Sequence, residues 1–160
     1  MKGVRLLAFL PAVLWMVFIF TMSAMPEEIS EEQSREVALS LRQLAVRYLG
    51  EEREEAWHET APSLSIRKLA HMMEYAILFL LLYGGILRNN ENSPKAAALG
   101  AVLSVLYACS DEAHQLFVPG RSGEIRDIMI DLLGVAAGSV PVCISMIRGR
   151  KPREQTGCRS

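Results

Sequence analysis

The chain has 160 residues, of which 51% are hydrophobic, and its formal net charge is −1 at pH 7. Its mean hydropathy of +0.20 favours an integral membrane protein over a soluble domain. No basic block is large enough to suggest a nucleic acid as partner, and three cysteines without CxxC spacing predict neither a disulfide framework nor a structural zinc site.

Four stretches are apolar enough to cross a bilayer, which takes about 20 mostly apolar residues. The first, residues 6–26, carries no charge and lacks a good cleavage signal, so we interpret it as a membrane helix and not as a signal peptide. The others are expected at residues 69–87, 95–110 and 127–147. The chain is therefore predicted to be one all-α membrane domain, a bundle of four transmembrane helices.

Residues 27–67 separate the first two spans, and their first half is predicted to be helical. Ser30 with Gln33 forms a capping box, and Gly50 is a suitable residue to end the helix. An apolar stripe at helical spacing either packs on the bundle, which we favour, or lies in the membrane interface: Val37, Leu41, Leu44 and Tyr48. The acidic residues 51–59 are interpreted as a solvated linker.

The orientation follows from the positive residues in short loops. The positive residues lie before the first span, between the second and the third, and in the tail at residues 148–160. All three sets fall on one side, so both termini are expected in the cytoplasm and residues 27–67 outside it. The protein is thus predicted to be a multi-pass protein of a cell membrane.

In this topology, three segments bring polar residues to the outer end of the bundle, where ionisable groups are costly and indicate function. They are the start of the second span, the end of the third, and the approach to the fourth. The candidate residues are Lys68, His71, Glu74 and Tyr75; Asp111, Glu112, His114 and Gln115; and Arg121, Asp127 and Asp131.

Helical spacing predicts that these groups line a pocket one to two turns deep. Asp111 and His114 are three residues apart, and so are His71 and Glu74, so each pair can share a helix face. The turn after residue 118 would fold Arg121 back over the pocket. With Lys68 and two helix amino ends nearby, the mouth is expected to suit an anion such as a lipid phosphate or a carboxylate.

Four motifs of this sequence are similar to motifs of one known family. They are Phe20-x-x-Ser23-x-x-Pro26, Lys68-x-x-His71-x-x-Glu74-Tyr75, Asp111-Glu112-x-His114-Gln115-x-Phe117-x-Pro119-Gly120-Arg121, and Asp127-x-x-x-Asp131-x-x-Gly134-x-x-x-Gly138. Together and in this order, they resemble the VanZ-like family across nearly the whole chain. The resemblance implies a multi-pass protein of the bacterial cytoplasmic membrane and a link to low-level resistance to teicoplanin and related lipoglycopeptides.

The sequence leaves the activity open between several classes. A membrane enzyme acting on a lipid-linked envelope precursor would use His114 or Glu112 as general base and His71 with Glu74 as an acid/base or orienting pair. Asp111 belongs to the same candidate catalytic set, and Lys68 with Arg121 would clamp an anion. A non-catalytic binder of a lipid or lipoglycopeptide would show the same signature.

A membrane metal site and a transporter are the remaining alternatives. Carboxylates and imidazoles on facing helices suit a metal, although the nearby basic residues would repel a cation. No cofactor and no bound metal are predicted, and a four-span transporter would need a homo-oligomer to build its pathway. Gly134 and Gly138, four residues apart, are interpreted as a close helix contact.

Overall fold

The computed structural model describes residues 5–49, 66–89, 93–121 and 125–149, and these form five α-helices. A 3₁₀ turn, Leu6–Phe9, leads into α1, Leu10–Ser23. The others are α2, Glu27–Leu49; α3, Ile66–Leu87; α4, Ser93–Gln115; and α5, Ile125–Gly149. Gly50, the acidic linker, the loop residues 90–92 and 122–124, and the tail from residue 150 lie outside the described residues.

Four of these elements are long and apolar enough to cross a membrane, namely α1 with its 3₁₀ turn, α3, α4 and α5. This confirms the predicted all-α bundle of four membrane helices. The helices α3, α4 and α5 extend beyond the predicted apolar runs, because the polar residues that border those runs continue the helices.

The helix α3 is central and packs on both α4 and α5. Tyr75, Leu78 and Phe79 of α3 are fully buried in the core. A Cβ atom added to Gly134 would clash with the backbone of Met72, and one added to Gly138 would lie 2.7 Å from the carbonyl oxygen of Ala76. The predicted close contact through the two glycines is therefore confirmed, and it joins α5 directly to the backbone of α3.

The helix α1 lies on the side of the three-helix core, and much of its apolar surface is exposed where lipid would lie. Two of the hydrogen bonds that hold it lie along its length. The indole Nε1 of Trp15 donates to the carbonyl of Glu74 on α3 at 2.9 Å. The hydroxyl of Tyr107 on α4 donates to the carbonyl of Met16 at 2.6 Å. Bonds between helices matter here because lipid offers no hydrophobic drive for helix association.

The helix α2 begins at Glu27, so the prediction that Ser30 is its N-cap is wrong. Pro26 ends the preceding segment, and the first turn starts with Glu27 and Glu28, whose negative charges suit a helix amino end. The preference for an apolar stripe packed on the bundle is also contradicted, since its members are 44–75% exposed. Their placement in a membrane interface stays a prediction.

Candidate functional site

Polar side chains of α1, α3, α4 and α5 meet at one end of the bundle, which we call the polar end. The end of α1, the start of α3, the end of α4 and the start of α5 all lie there. Asp111, Glu112, Gln115, Arg121 and Asp131 are buried. Polar groups buried in this way need hydrogen-bond or ion-pair partners. The polar side chains at this end form two sets.

The first set is a clasp formed by Ser23, Asp111, Gln115 and Arg121. The hydroxyl of Ser23 donates to Oδ2 of Asp111 at 2.7 Å, and the amide Nε2 of Gln115 donates to the same oxygen at 3.1 Å. Oε1 of Gln115 in turn accepts from Nη1 of Arg121 at 3.1 Å. The clasp therefore links α1, the end of α4 and the turn that follows α4.

Arg121 completes the clasp at the carboxyl end of α1. Its Nε donates to the carbonyl of Met25 at 3.0 Å, and its Nη2 donates to that of Met22 at 3.4 Å. A cation is favourable at a helix carboxyl end, where the last carbonyls lack partners within the helix. The guanidinium thus acts in this structure as a structural bridge, whereas we expected an anion clamp from the sequence.

The turn before Arg121 has the geometry expected from its Pro-Gly sequence. Gly120 has φ of 80°, a left-handed conformation that glycine adopts without steric cost. The backbone N–H of Arg121 donates to the carbonyl of Val118 at 3.2 Å. The same glycine lies against Glu27 of α2, where an added Cβ would come within 3.3 Å of the Cβ atom of Glu27.

Burial lowers the pKa of Arg121 below its ordinary value, and the positive charge of Arg67 acts in the same direction. Arginine nevertheless stays charged, because its ordinary pKa lies far above physiological pH. Arg67 forms an ion pair with Glu27 at 3.7 Å, with both side chains partly exposed. The rim of the polar end is thus a mixed-charge surface and not a purely positive one.

The second set is an acidic cluster of Glu74, Asp131 and the remaining oxygen of Asp111, together with His71 and Tyr75. Nδ1 of His71 lies 3.5 Å from Oδ1 of Asp131 and 3.9 Å from Oε2 of Glu74. The side chain of Asp131 is 3% exposed, whereas that of His71 is 19% exposed. The histidine is therefore held against two carboxylates on one side and remains partly accessible.

Three atoms of this cluster are buried and lack a hydrogen-bond partner: the hydroxyl oxygen of Tyr75, Oδ1 of Asp111 and Oδ1 of Asp131. They come from α3, α4 and α5, respectively. A buried polar atom without a partner is costly, more so when it carries charge. While ionised, both carboxylate oxygens can only accept; Nδ1 of His71, at 3.5 Å, is a weak donor to Oδ1 of Asp131, and Oδ1 of Asp111 is left without one.

The structure does not bring every candidate residue into these two sets. His114, expected beside Asp111, stacks on Phe20 with ring centroids 4.4 Å apart, and its buried Nε2 has no hydrogen-bond partner. Lys68 is half-buried one turn before His71. Asp127 is half-buried at the start of α5, with one buried oxygen that lacks a partner. Glu112 is buried next to these groups, and its charge acts on Arg121.

Ser23 was not among the predicted site residues, although it is fully buried against Asp111. Its signals in the sequence were a hydroxyl near the end of an apolar run, two residues after Thr21, and its place in the first motif. The acceptors of Arg121 were also missed, because a backbone carbonyl leaves no mark in a sequence. Within the described ranges, no group of three or more His, Cys, Asp or Glu side chains is arranged to hold a metal ion.

Comparison with known proteins adds one positive finding. The sequence model of the family described as VanZ/LLP1 matches residues 8–146, which is most of the chain and includes both polar sets. No curated protein and no solved structure matches the chain.

Proposed function

The chain belongs to the VanZ/LLP1 family, and we propose that it acts on the polar end group of a lipid-linked cell-envelope molecule, with His71 as the general base. The observation that carries this proposal is the position of His71. Its Nδ1 faces Asp131 at 3.5 Å and Glu74 at 3.9 Å, at the end of a membrane bundle.

A carboxylate beside Nδ1 prepares a histidine for proton transfer. It keeps the proton on Nδ1, leaves the lone pair on Nε2, and stabilises the imidazolium that forms when Nε2 takes a proton. Asp131 is nearly inaccessible and fixes the ring, while His71 itself is partly exposed. In this proposal Asp131 and Glu74 are positioning residues, and His71 is the residue that touches the substrate.

The acidic cluster favours a substrate that offers hydrogen-bond donors. The unpartnered Oδ1 of Asp111 accepts, so a sugar hydroxyl or an amine would satisfy it, whereas Oδ1 of Asp131 already faces Nδ1 of His71. A phosphate would instead meet like charge there. We assign the anionic part of the lipid-linked molecule to Lys68, which pairs with no carboxylate among the described residues and lies one turn before His71.

We place the polar end outside the cytoplasm of a bacterial cell and both termini inside. The charges that support this orientation are Arg88, Lys95 and Arg148, which lie at the opposite end of the bundle, together with the basic tail. An outward site can reach lipid-linked envelope precursors at the outer surface of the membrane. Altered precursors or altered presentation would then protect the cell, as the family resemblance implies.

A non-catalytic receptor is the second candidate, and a specific observation favours it. The clasp uses three nitrogens of Arg121 and both ends of the Gln115 amide within the protein, so its hydrogen bonds are formed without a ligand. The unpartnered Oδ1 of Asp111 beside such a clasp suits binding as well as chemistry, because the clasp need not be ordered when the ligand binds.

Teicoplanin protection in a susceptible Gram-positive host tests the proposal. We compare the parent chain with His71→Gln, Asp131→Asn and His114→Gln at matched membrane abundance. His114→Gln is the matched histidine control, since that ring stacks on Phe20 and is not held between the two carboxylates. We expect His71→Gln and Asp131→Asn to abolish protection and His114→Gln to retain it.

The lipid-linked precursors of the same cells separate enzyme from receptor. A mass change that requires the parent chain and disappears in His71→Gln would identify an enzyme. Protection without any mass change would identify a receptor. Protection that survives both His71→Gln and Asp131→Asn would refute a functional role for the acidic cluster.

A further inference from the structure

The opposite end of the bundle contains a cleft of about 540 Å³ lined by Arg5, Leu6, Leu7, Ala8 and Arg88. The two arginines come from different segments, one before the 3₁₀ turn and one just after α3. The cleft lies a full membrane span away from the acidic cluster, and its proposed role is independent of the function proposed above.

The two segments that carry the arginines are fixed to each other. The backbone N–H of Arg5 donates to Oδ1 of Asn89 at 2.6 Å, and Nδ2 of Asn89 donates to the carbonyl of Gly85 at 2.9 Å. Gly85 permits this approach, because a Cβ atom there would lie 2.9 Å from the ring of Phe9. These hydrogen bonds hold the segment before the 3₁₀ turn against the end of α3, so the cleft between them is part of the folded structure.

The charges in the cleft are uncompensated in the part of the chain that the structure describes. No carboxylate of these residues forms an ion pair with Arg5 or Arg88, and both arginines are exposed. Two arginines that line one cleft suit a phosphate, which the guanidinium group recognises through paired hydrogen bonds.

The apolar residues of the cleft indicate where that phosphate comes from. Leu6 is 77% exposed and Leu7 is 83% exposed, beside the arginines and at the end of a membrane-spanning segment. A soluble phosphate would gain nothing from these side chains, whereas a phospholipid can place its acyl chains along them. Basic pockets between membrane helices commonly bind acidic head groups.

We propose that this cleft binds the phosphate of an anionic phospholipid, in the leaflet opposite to the acidic cluster. Arg5 and Arg88 hold the phosphate, and Leu6 and Leu7 contact the acyl chains. A bound lipid would also brace the 3₁₀ turn against the end of α3.

Native mass spectrometry of the full chain in a neutral detergent tests this proposal. The probes are phosphatidylglycerol, phosphatidylcholine with the same acyl chains, and inorganic phosphate. The variants are Arg5→Gln, Arg88→Gln and their combination. Arg148→Gln is the matched control, because it removes an exposed arginine at the same end of the bundle, in the last turn of α5.

We expect one retained phosphatidylglycerol on the parent chain and on Arg148→Gln, and much weaker retention of phosphatidylcholine. Each cleft substitution should weaken binding about fivefold, and the double substitution about 25-fold. Arg88→Lys, which keeps the charge but loses the planar fork, should fall between Arg88→Gln and the parent. Intermediate binding by Arg88→Lys would also show that the loss in Arg88→Gln does not come from misfolding.

Three results would overturn the proposal. Equal weakening by Arg148→Gln would mean diffuse attraction to the whole basic end. Equal binding of phosphatidylcholine would remove the role of net lipid charge. Displacement of the lipid by an equal concentration of inorganic phosphate would mean a site for free anions.

Discussion

The contact of α5 with α3 through Gly134 and Gly138 can be tested by adding a single methyl group. We expect Gly134→Ala and Gly138→Ala to destabilise the bundle. At Gly138 the new Cβ would lie 2.7 Å from the Ala76 carbonyl oxygen, while ordinary contacts begin at 3.4 Å, so the backbones must separate by roughly 0.7 Å. The obstruction is backbone, which cannot move aside as a flexible side chain can.

The expected magnitude combines two opposing effects. Overpacking a core costs about 1–3 kcal/mol, and alanine regains about 0.5–1 kcal/mol over glycine inside a helix. The net loss of up to about 2.5 kcal/mol should lower the melting temperature by up to roughly 10 °C for a chain of this size. Gly84→Ala is the control, because nothing lies within 4 Å of its added Cβ; it should melt at the parent temperature or slightly above.

Gly134→Ala should also affect the acidic cluster. Met72, its contact on α3, follows His71 directly, and Gly134 lies one turn after Asp131. Separating the helices there moves Nδ1 of His71 away from Oδ1 of Asp131, so protection against teicoplanin should fall together with stability. Thermal unfolding of the purified variants, followed by circular dichroism, gives the stability. Melting of both glycine variants at or above the Gly84→Ala temperature would refute the close-contact argument.

Three further predictions concern the clasp and the orientation. Ser23→Ala should cost about 1.5–3 kcal/mol, because it removes a donor from a buried carboxylate. Thr21→Ala should change stability by less than about 0.5 kcal/mol in the same melt, since that hydroxyl is exposed and bonds only to its own helix. Arg121→Lys should cost about 2–3 kcal/mol, because a lysine cannot reproduce three bonds of a planar fork; an unchanged melting temperature would contradict the clasp. In a background without native cysteines, Ser40→Cys should react with an impermeant thiol reagent in intact cells and Arg148→Cys only after permeabilisation, and the reverse pattern would invert the orientation.

Much of the fold could be predicted from the sequence, because a membrane imposes a simple rule on it. Apolar runs of sufficient length become helices, since every backbone group must be satisfied inside the bilayer. The glycine pair was also predictable, as small residues four apart allow two helix backbones to approach. The start of α2 was not, because Ser30 with Gln33 satisfies the local capping pattern while Pro26 and Glu27 satisfy another. Local patterns alone do not rank two such starts.

The candidate site was predictable as a set of residues but not as a set of contacts. Helical spacing suggested that His71 pairs with Glu74, yet Asp131 on α5 lies closer to it. That distance depends on the register between α3 and α5, which the glycine contact fixes in three dimensions. His114 is the opposite case, because the pair that its spacing allowed is not formed in the structure. Its spacing from Asp111 allowed a pair, but Asp111 bonds to Ser23 and Gln115 while the imidazole faces Phe20.

The attachment of α1 also constrains the order in which the protein assembles. The helix α1 is made before all of its bonding partners, which are Glu74, Tyr107, Asp111 and Arg121. It can begin to dock once α3 has been made, but its full set of bonds must wait until the turn after α4 has been made. A separately expressed segment that ends within residues 50–65 should therefore dock onto the remainder of the protein in the same membrane. The bonds that join α1 to the later helices are hydrogen bonds, and they do not require the two pieces to be covalently linked.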